Sequence, residues 1–313
     1  MIGFDIGGTK CAVSIGKRAG DGIEITDKRK IPTDLSCSPY EMLDALCRMA
    51  EEMTNDFSRI GISCGGPLDA ARGVILSPPN LPGWDEVRVV EYLRARYHGN
   101  VALENDANAC ALAEWKYGAG RGAENMIFLT FGTGMGAGLI LNGQLYRGAC
   151  GNAGEIGHVR MAPFGPVGYG KAGSLEGFAS GGGIARLAAT FAEERLQTGT
   201  GTAYCRTRDE LSVITAERVA TAAKAGDPTA LAVYRTCGEM LGAGLALLVD
   251  VLNPEVIVIG SIYTRAGELL REGMERVLQR ETLPASLRAV KILPAALGEQ
   301  LGDVAAVAAG ETF

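Results

Sequence analysis

The amino-acid sequence predicts an α/β protein built from two similar halves. Apolar strand-like segments alternate with helical patterns, as in proteins whose sheets are covered by helices. A hairpin with a turn of glycine and threonine occurs at the start of the chain and again about 125 residues later, which is roughly the length of a domain. Glycine is abundant, at 44 of 313 residues, and follows no collagen-like period. We interpret the hairpins as an internal repeat and expect two halves that face one cleft.

Both hairpins have the same form. Each consists of a strand, a turn and a returning strand, predicted over residues 2–6, 7–10 and 11–16 in the first and over residues 126–131, 132–136 and 137–141 in the second. Dinucleotide-binding folds and P-loops need a helix directly after a strand and its glycines, so neither fits these turns. The GxGxxG pattern at residues 168–173 lacks a preceding strand and is not interpreted as a nucleotide fingerprint.

The remaining elements alternate between helix and strand. The predicted helices are residues 39–54, 107–117, 228–251, about 265–279 and 301–309, and the predicted strands are residues 59–63, 101–104, 256–259 and about 290–293. Asp227 and Pro228 form a typical helix start, with a capping residue followed by proline. The polar segment of residues 197–208 is predicted to be a surface insertion.

Composition and charge exclude several classes of protein. Lysine and arginine total 30 against 36 acidic residues, so we expect no nucleic-acid partner. The eight cysteines form no CxxC pair, which is typical of a reduced, cytoplasmic chain. The chain opens directly on its first strand, so no signal peptide is expected. The uncharged residues 125–146 contain several glycines and an Asn-Gly turn, which favours strands over a membrane helix, and we expect no membrane partner.

The two turns suggest a phosphate site. Their backbone N–H groups could hold phosphate oxygens, because glycine lets the backbone approach a ligand closely. Either turn alone is more often a plain hairpin turn. The repetition of the turn, and Asp5 beside the first one, favour phosphate binding. A carboxylate at that place could hold a hydrated Mg²⁺.

Several polar residues are candidates for a substrate site. Asp106 stands between a predicted strand and helix, where it is either a helix N-cap or a general base that accepts a proton from an alcohol. Asn105 could orient the same substrate. Glu155 and His158 are three residues apart and would face the same way on a helical turn, although a lone histidine is usually structural. Weaker candidates, each more often a solvated loop residue, are Asp69, Asn80 and Glu176.

The ordered motifs resemble those of the ROK family of bacterial repressors and sugar kinases, within the actin-like ATPase superfamily. The resemblance covers essentially the whole chain. It rests on Asp5-Ile6-Gly7-Gly8-Thr9-Lys10, Gly65-Gly66-Pro67 with Pro79-Asn80-Leu81, Glu104-Asn105-Asp106-Ala107-Asn108, Gly132-Thr133-Gly134-Met135-Gly136, Gly154-Glu155-Ile156-Gly157-His158, and Asn253-Pro254-Glu255 before Gly260.

The resemblance implies a two-lobed actin-like ATPase (ribonuclease H-like) fold, with duplicated mixed-sheet domains and a cleft between them. The expected lobes are residues 1–115, completed by a C-terminal helix at 300–313, and residues 116–299. The implied activity is ATP- and Mg²⁺-dependent phosphorylation of a hexose or N-acetylhexosamine at its 6-hydroxyl, with glucose as the first candidate and Asp106 as the base. A homodimer is expected.

The resemblance also implies individual contacts. The sugar would be bound by Gly66, Asn80, Asn105, Asp106, Glu155, His158 and Glu176. The nucleotide would be bound by Asp5, Gly7, Gly8, Thr9, Lys10, Thr133, Gly134 and Gly260, with Mg²⁺ on Asp5 through water.

The sequence departs from the family pattern at two places. Many relatives carry a CxCGxxGC zinc motif after the histidine, whereas Val167, Tyr169 and Ser174 stand at cysteine positions here, so we expect no zinc. Relatives usually have two glycines where this chain has Gly260-Ser261.

Two alternatives to a kinase stay open. A sugar-responsive regulator of this family would carry a helix-turn-helix domain before the first motif, and the chain begins only four residues before Asp5. A sugar-binding protein without catalysis would be expected to lack Asp106 or a glycine turn.

Overall fold

The computed structural model describes residues 1–311. Its strands are β1 (Ile2–Ile6), β2 (Lys10–Ala19), β3 (Gly22–Pro32), β4 (Arg59–Cys64), β5 (Leu68–Asp69), β6 (Val74–Ile75), β7 (Asn100–Asn105), β8 (Met126–Phe131), β9 (Met135–Leu141), β10 (Gln144–Tyr146), β11 (Val167–Gly168), β12 (Lys171–Ala172), β13 (Val256–Ile259) and β14 (Lys291–Pro294). Its α-helices are α1 (Pro39–Met53), α2 (Val89–Tyr97), α3 (Asp106–Tyr117), α4 (Leu175–Phe178), α5 (Gly181–Gln197), α6 (Ala216–Lys224), α7 (Pro228–Leu252), α8 (Ile262–Glu281), α9 (Pro284–Ala289) and α10 (Leu301–Ala309).

Two five-stranded sheets share one topology. The first has the strand order β3-β2-β1-β4-β7 and the second the order β10-β9-β8-β13-β14. In the first sheet, β1 pairs antiparallel with β2 and parallel with β4, and β4 pairs parallel with β7. In both sheets, three consecutive strands are extended by two later ones. The predicted α/β class, the mixed sheets and both glycine hairpins are confirmed.

Several elements have weak sequence patterns and were not predicted. Strand β3 contains the charged run Asp27-Lys28-Arg29-Lys30 and is largely exposed, and it is a strand because it pairs along its length with β2. Helices α2, α5 and α6 were also not predicted. Helix α1 was predicted, and its start has a clear local cause. Ser38 and Glu41 form a reciprocal capping box with Pro39 between them.

Small residues allow the last helix to pack on the first sheet. Helix α10 is buried from Asp303 to Ala309. A Cβ at Gly61 of β4 would lie 2.0 Å from the Ala306 carbonyl oxygen, and one at Gly3 of β1 would lie 2.6 Å from the Val307 amide nitrogen. The glycines therefore bring helix and sheet closer than any side chain would permit. The C-terminal helix is thereby part of the hydrophobic core of the first sheet.

The chain divides into two compact units. One comprises residues Met1–Phe128 and Gly138–Ala153 together with the described residues from Ala296 on, and the other comprises Leu129–Ala137 and Gly154–Ala295. The lobe limits expected from the resemblance stay a prediction, and this division places residues 116–128 and 138–153 with the first unit. Residues 312 and 313 of the expected C-terminal segment lie outside the described residues.

Two further sequence predictions have clear outcomes. The segment at 197–208 is not simply a surface insertion, because Tyr204 in it is fully buried and donates its hydroxyl to the Ala188 carbonyl at 3.0 Å. The GxGxxG pattern forms the short β11–β12 hairpin rather than a strand followed by a helix, as expected from its context.

One helix of the described chain, α7, is long and apolar enough to cross a membrane by length and composition alone. Within its most apolar stretch, 61% of the residues are buried inside the protein. The core helices of soluble proteins have the same property.

Candidate functional site

Three parallel strands bring the candidate residues of the first unit to one edge of its sheet. Strands β1, β4 and β7 are adjacent, and their register aligns Ile6 with Cys64 and Cys64 with Asn105. The chain therefore leaves all three strands at the same edge. The first glycine turn, the Gly65-Gly66 segment with its cis bond to Pro67, and the start of α3 meet there. Open α/β sheets bind their ligands at this kind of edge.

The first glycine turn contacts the loop that carries Asn80. A Cβ at Gly8 would lie 2.2 Å from the Asn80 carbonyl oxygen, so any side chain there would displace one of the two segments. A Cβ at Gly65 would lie 3.7 Å from Asn80 Nδ2 and 4.0 Å from an Asp106 carboxylate oxygen, and one at Gly66 would lie 3.4 Å from Asn105 Nδ2. The candidate sugar residues of this unit are therefore neighbours.

The rest of the first turn is open to solvent. Thr9 and Lys10 are exposed, and Gly7 is half-buried. The carbonyl of Gly7 accepts the Thr33 hydroxyl at 2.6 Å, which ties the turn to the end of β3. The bond from Thr33 thus fixes the turn, while Thr9 and Lys10 stay accessible to a ligand.

Asp106 is the first residue of α3 and not its N-cap, so the capping alternative is wrong. Asn105 is the cap, and its side-chain oxygen accepts the amide hydrogens of Ala107 at 3.0 Å and Asn108 at 3.4 Å. The Asp106 carboxylate accepts hydrogen bonds from the adjacent Ala107 amide, at 2.8 Å, and from its own backbone amide. Because Asn105 performs the capping, the second carboxylate oxygen of Asp106 can serve another purpose.

Three carboxylates, those of Asp5, Asp106 and Asp303, give this edge a negative character. Burial, together with repulsion from Asp106 and Asp303, raises the pKa of Asp5 to about 6, although Lys28 and Lys10 act in the opposite direction. Desolvation also raises the pKa of Asp106, whose side chain nevertheless reaches solvent. Asp303 is held by the Ser14 hydroxyl at 3.0 Å and by Lys28 at 2.6 Å. Oxygen donors of this kind suit a hard cation near Asp5.

The second glycine turn is supported by the start of a helix that the sequence analysis missed. The amide of Gly181, the first residue of α5, donates to the Gly132 carbonyl at 2.7 Å, and the amide of Gly182 donates to the Thr133 carbonyl at 3.3 Å. Thr133 itself is exposed. The positive end of a 17-residue helix is thereby placed against the turn, which favours an anion there.

Glu176 faces the second turn directly. Its carboxylate accepts the Met135 amide at 3.1 Å, and it would lie 2.7 Å from a Cβ at Gly134. A Cβ at Gly157 would lie 3.4 Å from the Glu176 Cβ. The second turn, the segment of the candidate histidine and Glu176 are therefore neighbours within this unit.

Glu155 directly precedes a short 3₁₀ helix, Ile156–His158, and His158 is its last residue. Residues three apart on a 3₁₀ helix are eclipsed, and both residues are exposed, as expected for residues that face the same way. The His158 ring contacts Tyr169 edge-on at 6.2 Å between centroids, and its carbonyl accepts Lys171 Nζ at 2.7 Å. The β11–β12 hairpin thus orients the histidine.

The residues at the zinc positions do not fit the metal. Ser174 is buried and caps α4 through a 3.1 Å bond from the Gly177 amide, while the Val167 and Tyr169 side chains are exposed and offer no soft ligand. Within residues 1–311 no group of three histidine, cysteine or acidic residues is arranged to hold a metal ion.

Two other candidates have mainly structural surroundings. Gly260 is buried, and its amide donates to the Leu129 carbonyl at 3.0 Å. Ser261 follows it with φ 53° and ψ −108°, a conformation that glycine adopts more easily. Asp69 accepts the Arg72 amide at 2.9 Å and so stabilises a turn.

Comparisons with known proteins match the chain along almost its full length. The ROK family model covers residues 1–309. The glucokinase of Halalkalibacterium halodurans is 34% identical over 312 residues, covering 97% of this chain and 92% of that protein. The structure of a ROK family glucokinase from Streptomyces griseus in complex with glucose and AMPPNP has a TM-score of 0.78 and 31% identity, covering 100% and 99% of the two chains.

The family also includes regulators. The xylose repressor of Caldicellulosiruptor bescii is 29% identical over 297 residues, covering 93% of this chain and 73% of that protein.

Proposed function

Because the chain belongs to the ROK family, whose members have the actin-like ATPase fold, we propose that it is an ATP-dependent kinase of a hexose or an N-acetylhexosamine. The phosphoryl acceptor is the 6-hydroxyl, and glucose is the first substrate to test. One observation carries the proposal. The Asp106 carboxylate oxygen that does not accept the Ala107 amide lies at the sheet edge where the first glycine turn contacts Asn80.

Asp106 acts as the general base in this proposal. A carboxylate whose hydrogen bonds come from its own and the neighbouring backbone amide keeps lone pairs for the hydroxyl of a substrate. Its raised pKa makes it a better proton acceptor than an ordinary aspartate, provided that it is ionised at the working pH. Phosphoryl transfer itself needs positioning and charge stabilisation more than covalent help from the protein.

The sugar and the nucleotide use different residues in this proposal. The proposed sugar contacts are Gly66, Asn80, Asn105, Asp106, Glu155, His158 and Glu176. The proposed nucleotide contacts are Asp5, Gly7, Gly8, Thr9, Lys10, Thr133, Gly134 and Gly260. Mg²⁺, held through water by Asp5, would neutralise phosphate charge. No step uses zinc.

The proposal is tested by measuring ADP release with purified protein, Mg²⁺ and ATP in the presence and absence of glucose. Sugar-dependent ADP release supports a kinase, and a panel of hexoses and N-acetylhexosamines then identifies the preferred acceptor. ADP release that no sugar in the panel stimulates would contradict the proposal. We further propose a homodimer, which sedimentation of the purified protein would test, and a cytoplasmic location, which cell fractionation would test.

The likeness to a xylose repressor favours a sugar-responsive regulator as the second candidate. A regulator or a non-catalytic binding protein would show a sugar-induced melting shift without sugar-dependent ADP release. The same two measurements therefore separate a kinase from the two non-catalytic functions.

A further inference from the structure

Glu104, next to the proposed base, has a buried carboxylate with four hydrogen-bond donors. Its side chain is 2% exposed and lies at the end of β7. One oxygen accepts the Asn105 amide at 3.1 Å and Asn108 Nδ2 at 3.0 Å. The other accepts Arg147 Nε at 3.0 Å and Nη2 at 2.6 Å. Arg147 follows β10 in the sequence and belongs to the same compact unit.

The Glu104 carboxylate therefore binds the backbone amide just before Asp106 and a side-chain amide just after it. Asn105 precedes the proposed base, and Asn108 lies two residues after it in the first turn of α3. We propose that Arg147 and Glu104 are positioning residues that fix the direction of the Asp106 carboxylate. The proposal rests on the proposed kinase function and adds two residues to which that function assigns no role.

Arg147 is needed because a buried carboxylate is costly without a compensating charge. Removing one partner of a buried ion pair leaves the other charge desolvated and unpaired. Without Arg147, Glu104 would turn toward water and release its bonds to Asn105 and Asn108. A planar guanidinium that donates twice to one oxygen also fixes the orientation of the carboxylate, which a single ammonium donor would do less well.

Asn108 depends on Glu104 more than on any other group. Its Nδ2 donates to Glu104, whereas its buried Oδ1 has no hydrogen-bond partner within the described residues. Nothing else in residues 1–311 therefore fixes the side-chain amide by hydrogen bonding. Loss of Glu104 or Arg147 would free the first turn of α3, and a displacement of about 1 Å at a catalytic group can cost on the order of 10²-fold in rate.

The test compares Arg147→Met, Arg147→Lys and Glu104→Gln with the unmodified protein. For Arg147→Met and Glu104→Gln we expect kcat to fall roughly 10- to 100-fold while the KM for sugar changes less than about threefold, because the sugar contacts remain. Arg147→Lys keeps the charge and should retain more activity than Arg147→Met. The matched control is Arg96→Met, which removes an arginine of similar exposure that pairs with Glu51 and Asp44. It should leave kcat unchanged.

Each outcome is informative. Unchanged kcat in Arg147→Met, with an active unmodified protein and an inactive Asp106→Asn variant, overturns the positioning role alone. Equal losses in Arg147→Met and Arg147→Lys, with KM and melting temperature changing in parallel, indicate a merely structural pair and also overturn it. An unmodified protein that phosphorylates no sugar overturns the proposed function, and this inference with it.

Discussion

The two glycine turns share a backbone plan but have different surroundings. Both are three-residue connections between antiparallel neighbours in sheets of the same strand order. The first turn lies against the backbone of Asn80 and close to the acidic pair Asp5 and Asp106. The second lies against the Glu176 side chain and receives two amide hydrogen bonds from the start of α5.

This difference indicates that the two units share the turn but use it with different neighbouring groups. The turn itself presents backbone amides, which suit phosphate oxygens in either half. The first unit adds Asp5 and Asp106, which suit a cation and proton transfer. The second adds the Glu176 carboxylate and a helix N-terminus, and the helix N-terminus suits an anion. Duplication thus preserved the backbone geometry, whereas the chemistry was set by residues that pack beside each turn.

The largest expected effect tests whether proton transfer belongs to the first unit alone. Asp106→Asn is nearly isosteric but not basic, so kcat should fall by roughly 10²–10⁴. Glu176→Gln in the second unit should mainly raise the KM for sugar. Steady-state kinetics of both variants, with sugar-induced melting shifts as a control for binding, would measure the contrast. Near-normal kcat in Asp106→Asn would remove the base from the proposal.

The next effect compares the turns themselves. Gly8→Ala places a Cβ 2.2 Å from a backbone oxygen of Asn80, so the turn or the Asn80 loop must move. Gly134→Ala places a Cβ 2.7 Å from the end of the Glu176 side chain, which can rotate away. We expect kcat/KM to fall on the order of 10-fold or more in Gly8→Ala, with KM rising for both substrates, and to fall less in Gly134→Ala.

Steady-state kinetics, with the sugar and ATP varied separately, would show whether Gly8→Ala loses more kcat/KM than Gly134→Ala. Melting temperatures would identify misfolded variants. Equal losses in well-folded variants would mean that the neighbours of the turns do not matter.

The pH dependence of kcat/KM is expected to be a smaller effect, and its direction follows from the pKa shifts of Asp106 and Asp5. Desolvation raises the pKa of Asp106 above the ordinary value of 3.8, so its protonated, inactive form persists to higher pH. The acid limb of kcat/KM should therefore lie above pH 3.8, with activity lost as the pH falls through it. Asp5, with a pKa of about 6, also titrates on the acid side, and a higher Mg²⁺ concentration should shift the contribution of Asp5 to lower pH more strongly than that of Asp106.

A pH profile of kcat/KM at two Mg²⁺ concentrations would separate the two groups. An acid limb that stays at the ordinary aspartate value at both concentrations would contradict the desolvation of Asp106.

The sequence predicted the hairpins and the main alternation of elements because apolar periodicity and glycine turns are local signals. The start of α10 at Leu301 and the limits of β13 agree with the structure. The capping role of Asn105 could not be assigned, because Asn105 and Asp106 are both good N-caps and only the backbone angles distinguish them.

Long-range packing accounts for what the sequence did not reveal. Arg147 lies 43 positions from Glu104, and no local pattern connects the two. The contact of α5 with the second turn likewise depends on tertiary structure. Tyr204 was assigned to the surface from the polar residues around it, although its aromatic ring is an anchor in the core.

The smallest expected effect concerns backbone strain beside the second turn. Ser261 lies near Gly132 of this turn, and its φ of 53° and ψ of −108° strain a residue that has a Cβ. Strain of this type costs about 1–3 kcal/mol, partly offset in Ser261→Gly by the greater freedom of glycine in the unfolded chain. We expect Ser261→Gly to raise the melting temperature by about 2 °C. Ser261→Ala, which keeps the strain, should give no increase, and a thermal scan in which both variants melt alike would exclude strain at this position.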